Sequence, residues 1–206
     1  MKYKKQALNL SLLLFAAILL RCPASANETV EQIVAVVNEH LIFLSDLRRD
    51  HLFFENGADA SLQKQIGHRI NHQLLLNEAK RFVLDPPSTK EIDQGIKAIS
   101  HRFKNEGEFQ TRLKENGMAL EELREEVANR LLIKTFLQDR IGFFIFVTDE
   151  EIDQYYEKHP GDFKGISQKN RTEQIQSILK ADKEKIKIDE YIAQIKSRAT
   201  VQINVQ

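Results

Sequence analysis

The chain has 206 residues, 42% apolar and 29% charged, with 30 basic side chains balanced by 30 acidic ones, a single cysteine and no tryptophan. A chain of this size can bury one good core, or one core with an extension. The charge balance excludes a protein that binds nucleic acid by bulk electrostatics, and one cysteine excludes an intramolecular disulfide framework or a multi-thiolate metal centre.

Lys2, Lys4 and Lys5 form a basic start, Ala7 to Leu20 is an apolar run, and Ala24-Ser25-Ala26 is an A-x-A cleavage site. The run is short for a membrane span, which needs about 20 apolar residues. Residues 1–26 therefore read as an export signal cleaved after Ala26, leaving no stable membrane span. Arg21 is too large and charged to precede a lipid-bearing Cys22. Cleavage removes four basic residues and no acid, so 26 basic side chains face 30 acidic ones (26 − 30 = −4), and the only cysteine is lost.

The next stretch, Ile33-Val34-Ala35-Val36-Val37-Asn38-Glu39-His40-Leu41-Ile42-Phe43-Leu44-Ser45-Asp46, reads as two short strands feeding a helix capped by Ser45 or Asp46. Both faces of the first strand are apolar, Ile33, Ala35 and Val37 against Val34 and Val36, so other parts of the chain must cover a hairpin that cannot bury itself. A first helix from Leu47 to Phe54 ends near Asn56-Gly57. A second starts near Ser61, with Ile66, Ile70, Leu74, Leu75, Ala79 and Phe82 as one buried stripe. Asp85-Pro86-Pro87 stops it. Ser88-Thr89-Lys90-Glu91 is a capping box for a helix bearing Ile92, Ile96, Ile99 and Phe103 on one face.

A short helix from Glu108 to Asn116 stops at Gly117, and a longer one runs from Leu120 to Arg140. Ile141 to Val147 breaks the helical period and reads as extended or as a tightly packed connector. Thr148-Asp149-Glu150-Glu151 is a second capping box, for a helix that ends before His159-Pro160-Gly161, and Pro160 to Arg171 is the clearest linker. Ile175, Ile178, Leu179, Ile188, Tyr191, Ile192 and Ile195 then predict one long helix, weakest across the charged stretch Lys180 to Lys187. Ala199, Val201, Ile203 and Val205 alternate with polar residues as a strand with one dry face, the natural partner for the hairpin 160 residues earlier.

The order of these pieces resembles the SurA family of periplasmic chaperones and is similar to the related extracytoplasmic parvulin-type foldases. The resemblance is carried by Val-Ala-Val-Val-Asn at 34–38, Leu44-Ser45-Asp46, Asn116-Gly117 followed by Leu-Glu-Glu-Leu-Arg at 120–124, and Thr148 to Tyr156. It implies a mainly α fold with a small β-sheet, a helical core like the SurA N-terminal domain, and the N-terminal hairpin paired with the C-terminal strand. Residues 27–159 would form the helical chaperone domain and residues 172–206 the helix and strand that complete it. Two departures stand out. The turn Asn38-Glu39-His40 lacks the family's glycine, so Asn38 or His40 must accept a left-handed backbone. The family also places isomerase domains of roughly 90 to 100 residues, an ordinary domain size, where this chain has only the linker 160–171.

The histidines, His40, His51, His68, His72, His101 and His159, are scattered over helices and turns and do not make a parvulin site. His68 and His72 share a helical face at a spacing suited to a metal, but no third ligand stands near, and they read as polar flanks of the stripe. Asp149, Glu150 and Glu151 read as first-turn acids rather than a catalytic pair. No cofactor, metal or catalytic residue is expected.

What remains is binding. Phe53, Phe54, Phe109, Phe143, Phe144 and Phe146 are the candidate contacts for client polypeptide, because adjacent aromatics cannot all face one core and an exposed set marks an interaction site. Packing of these rings between helices is the competing expectation. The implied activity is that of an ATP-independent holdase for unfolded or nascent exported proteins, by resemblance outer-membrane β-barrel precursors, with outer-membrane assembly machinery as a further partner. Two rivals are an adaptor docking on a separate isomerase or secretion machine, and a prolyl isomerase with an unrecognised site.

Overall fold

The computed structural model describes residues 31–55, 61–83 and 85–204. The expected export signal with its cleavage site and Cys22, the expected helix end at Asn56-Gly57 and Val205 all lie outside the described residues. Strands β1 (Ile33–Val37) and β2 (His40–Phe43) are followed by helices α1 (Leu44–Phe53), α2 (Leu62–Phe82), α3 (Thr89–Ser100), α4 (Glu106–Glu115) and α5 (Leu120–Arg140). A single turn of 3-10 helix (Gly142–Phe144), α6 (Asp149–Lys158), α7 (Gln168–Lys196) and strand β3 (Val201–Ile203) complete the order. The protein is mainly α with one small antiparallel sheet, as its residue pattern predicts. Among the described residues no helix is long and apolar enough to cross a membrane.

The sheet has strand order β2-β1-β3, so the first strand lies between its hairpin partner and the last strand of the chain. Val37 pairs with His40 on one side and Val201 on the other, and Ala35 pairs with Ile42 and Ile203. Between Ile33 and Ala35 the partner strand advances only from Phe43 to Ile42, leaving Val34 as the extra residue of a bulge. The bulge turns Val34 inward, so Val34, Ala35 and Val37 are all buried while Val36 is half-buried.

Asn38 takes the left-handed backbone that the missing glycine requires, with φ of 54°. Its residue type also serves the third strand. The Asn38 amide donates to the Thr200 carbonyl at 2.7 Å, and Asn38 Oδ1 accepts from the Thr200 amide at 3.0 Å. Turn and final strand are thereby latched by backbone and side chain together. The expected dry face of β3 is shorter than its alternation implies. Val201 is half-buried against the core, but Ile203 sits at the open sheet edge with 58% of its surface exposed.

Three apolar clusters follow. The first joins the sheet (Val34, Ala35, Val37, Ile42) to Leu47 of α1, the α2 stripe, Ile133 and Phe136 of α5, and Ile195 near the end of α7. The second gathers Phe53, Ile99, Phe109, Leu113, Leu123 and Val127. The third holds Ile152, Phe163 and Ile175. Phe82, expected in the α2 stripe, is instead 58% exposed, because the helix ends there and the ring stacks over Phe136 at 6.1 Å rather than entering the core.

The capping boxes form as read. Ser88 and Glu91 exchange bonds at 2.8 and 3.3 Å, and Thr148 and Glu151 at 2.9 and 3.3 Å. Helix α1 begins earlier than expected, at Leu44, so Asp46 does not cap as the flanking residue but reaches back to accept the Phe43 amide at 2.9 Å. Helix α7 likewise begins inside the expected linker, with the Ser167 hydroxyl accepting the Asn170 amide. The remaining turn is pinned down by Phe163, which packs with Ile152, Ile175 and both tyrosines of α6.

Candidate functional site

The six candidate phenylalanines divide sharply. Phe53 and Phe109 have 0% and 1% of their surface exposed, packed edge to face at 6.5 Å beside Phe103 in the second cluster. These two are core residues and are withdrawn as client contacts, because α1 and α4 turn them towards each other. Phe54 is half-buried beneath the Arg130 guanidinium, whose carbon lies 3.8 Å from the ring centre. That face is already covered by a cation.

Phe143, Phe144 and Phe146 are 64, 74 and 75% exposed. Their placement follows from the local chain. After Arg140 the helix tightens to one 3-10 turn and then runs extended, with Ile141 buried and Ile145 and Val147 half-buried as the inward residues. The inward branched residues leave the three rings outside. Lys183 on α7 fastens this connector, its Nζ donating to the Phe146 carbonyl at 2.7 Å and to Glu151 Oε2 at 2.6 Å. The bond to Lys183, with the Thr148 amide, holds the Glu151 carboxyl below the usual carboxylate range.

Two grooves flank the rings where the connector faces the middle of α7. One, of about 630 Å³, is lined by Ile141, Phe144, Phe146, Ile186 and Tyr191 with Arg140 at its rim. The other, of about 530 Å³, runs past Phe143 between Ile133, Leu137 and Ile188. Ile186 itself is 56% exposed, so aromatic and aliphatic surface is continuous across this face. Grooves of this size, apolar inside and polar at the edge, accept side chains of an extended or helical polypeptide.

A second feature was not anticipated from the sequence. Asp50 of α1, Arg69 and His72 of α2, and Glu126 and Arg130 of α5 form a charged cluster between the first two apolar clusters. Arg130 donates to Asp50 at 2.6 Å and to Glu126 at 3.1 Å, and Arg69 donates to Glu126 at 3.0 Å. Burial pushes the Asp50 carboxyl upward despite the opposing pull of Arg69 and Arg130. Burial alone would lower Arg69, but Glu126 and Asp50 outweigh it and hold the guanidinium above its ordinary value. The signal was present as Glu126 and Arg130 four apart beside Val127 and Leu131, a charged pair bordering an apolar stripe.

His72 and His68 diverge rather than converge. His68 Nδ1 lies 3.8 Å from Glu55 at the surface, whereas His72 Nε2 lies 3.5 Å from Glu126 with neither ring nitrogen hydrogen-bonded. Burial lowers the His72 pKa from 6.5 to about 4, more than Glu126 raises it, with Arg130 and Arg69 adding to the depression. The pair is therefore a carboxylate beside a neutral imidazole. A depressed folded-state value means the unfolded chain binds the proton first, so stability is lost as pH falls from 6.5 towards 4. The full loss is about 3 kcal/mol, offset in part at the acid end by Asp50, whose raised carboxyl favours the folded state on protonation. Urea titrations at pH 7 and pH 4.5 should show this fall, and His72→Leu should remove most of it; an equal fall in the variant would assign the acid sensitivity elsewhere.

No family model matches the chain. It is similar to proteins named Chaperone SurA: 26% identical over 145 residues to that of Legionella pneumophila strain Lens, 29% over 147 residues to that of Chromohalobacter salexigens, and 29% over 164 residues to that of Nitrosospira multiformis. These alignments take in 65, 66 and 72% of this chain. The chain spans about a third of the length of these curated relatives, 34 to 36%.

Proposed function

We propose that this SurA-like chain is a chaperone that holds unfolded polypeptides without nucleotide and without a chemical step. The observation that carries this reading is the exposed run Phe143, Phe144 and Phe146 over two apolar grooves. Apolar client segments would exchange water-exposed surface for these walls, and open grooves of this kind suit many different sequences. Residues 27–159 and 172–206 would act as one binding body, joined by the turn within 160–171. The basic start, apolar run and A-x-A site support a periplasmic location, and with it outer-membrane β-barrel precursors as clients.

The test is suppression of aggregation. A denatured client diluted into buffer with excess protein should scatter less light, and the triple variant Phe143→Ser, Phe144→Ser, Phe146→Ser should require roughly tenfold more protein for the same effect, as expected from losing several aromatic contacts. Because all three rings are exposed, the thermal midpoint should move little. Unchanged suppression by a folded triple variant would remove these rings from the binding face.

A further inference from the structure

We infer that the grooves beside Phe143 and Phe144 select apolar segments that are flanked by acidic residues. The inference rests on the client-binding reading above and concerns what decorates the bound segment.

Across the whole sequence the two signs are equal, 30 against 30. Around the two grooves they are not. Six basic side chains, Arg130, Lys134, Arg140, Lys180, Lys183 and Lys187, line them with only Glu184 and Glu190 in opposition. Some of this charge is already neutralised. Arg130 is held by Asp50 and Glu126, Lys183 by Glu151, and Lys187 by Glu190 at 2.8 Å.

Lys134, Arg140 and Lys180 remain. All three are exposed, and none makes an ion pair among the described residues. Lys134 and Lys180 line the Phe143 groove and Arg140 lines the Phe144 groove. Of the carboxylates lining those two grooves only Glu184 is likewise uncommitted. Beside Phe146 a third recess is lined by Glu173 as well as Lys180, two turns apart on α7, so the positive excess is concentrated on the Phe143 and Phe144 side.

Low-dielectric walls lengthen the reach of such charges, and a segment whose apolar centre fills a groove places its neighbouring residues at this rim. Acidic neighbours would be attracted there and basic neighbours repelled. Charge at a rim acts chiefly on partner choice and capture rate and is screened by salt, whereas the apolar centre supplies the holding.

The experiment uses three fluorescently labelled peptides with one shared apolar centre, flanked by Asp/Glu, by Ser/Gln or by Lys, titrated with the full chain at low and high salt. The acidic-flanked peptide should bind about threefold to tenfold more tightly than the basic-flanked one at low salt, with the neutral one between. At high salt the three should converge. The variant Lys134→Gln, Arg140→Gln, Lys180→Gln, folded to the same thermal midpoint, should bring them within about twofold of one another at low salt. Equal binding of the three peptides by the unmodified protein, or a preference that survives in the variant, overturns the inference while leaving the groove as a client site. Binding of none overturns the client-site reading and the inference with it.

Discussion

Replacing Arg69 by methionine is expected to lower the stability of the protein by about 3–5 kcal/mol, the usual consequence of stripping one partner from a buried ionic set. Arg69 stands between Asp50 at 3.4 Å and Glu126 at 3.0 Å, and the three side chains are 16, 14 and 13% exposed. Without it two largely buried carboxylates share only Arg130, which is itself drawn outward over Phe54. The position matters as much as the charge. Helix α1 carries Leu47, Asp50 and Phe53 into the first apolar cluster, the charged set and the second cluster in turn, and α5 does the same with Phe136, Glu126 and Val127. Asp50→Leu and Glu126→Leu added to Arg69→Met should recover part of the loss, since both under-partnered carboxylates are then gone and the one charge left without its ion pairs, Arg130, is 31% exposed and can be solvated. Urea unfolding at pH 7 reads both numbers. A loss below about 1 kcal/mol for Arg69→Met would mean that water reaches the cluster and screens it as it does an exposed pair.

Ending the chain at Arg198 should cost about 4 kcal/mol, by removing a strand whose amides and carbonyls satisfy the open side of β1. The Asn38 amide loses the Thr200 carbonyl, the Val34 carbonyl loses the Asn204 amide at 2.9 Å, and the ladder from Ala35 to Val37 is left unpaired. Val37 and Ala35, both 0% exposed, then border solvent. Asn38→Gly separates the latch from the strand. Glycine keeps the left-handed turn but removes the oxygen that accepts the Thr200 amide, so its cost should be about 1 kcal/mol. Thermal and urea denaturation of the two variants provide the check, and a truncated protein with an unchanged midpoint would show that the third strand is dispensable.

Much of this architecture was legible because its signals are local. Capping boxes, the proline stop after α2, Gly117 with φ of +56° and the period-two tail each act within a few residues. Helix starts slipped at Leu44 and Gln168, where Asp46 and Ser167 serve caps one or more residues away from the expected boundary. The exposed aromatic face was half legible. Paired phenylalanines announce that one ring is surplus to a core, but which one depends on the partner helix: Phe53 meets Phe109, while Phe144 lies at a groove with 74% of its surface exposed. Beyond the Glu126 and Arg130 pair the charged cluster was hidden for the same reason, since its members come from three helices and each of the others alone looks like a solvated flank.

The pairing of β1 with β3 also sets a timetable. Ribosomes extend a chain from its N-terminus at about 5–20 residues per second, so the roughly 160 residues that separate Val37 from Val201 take about 8–30 s to appear. Through that interval the outer edge of β1 lacks the strand that pairs with it. Bringing the ends together also carries the loop-closure cost of a long chain. A protein proposed to guard unfolded chains is itself, until β3 emerges, an unfinished chain with an unpaired strand edge.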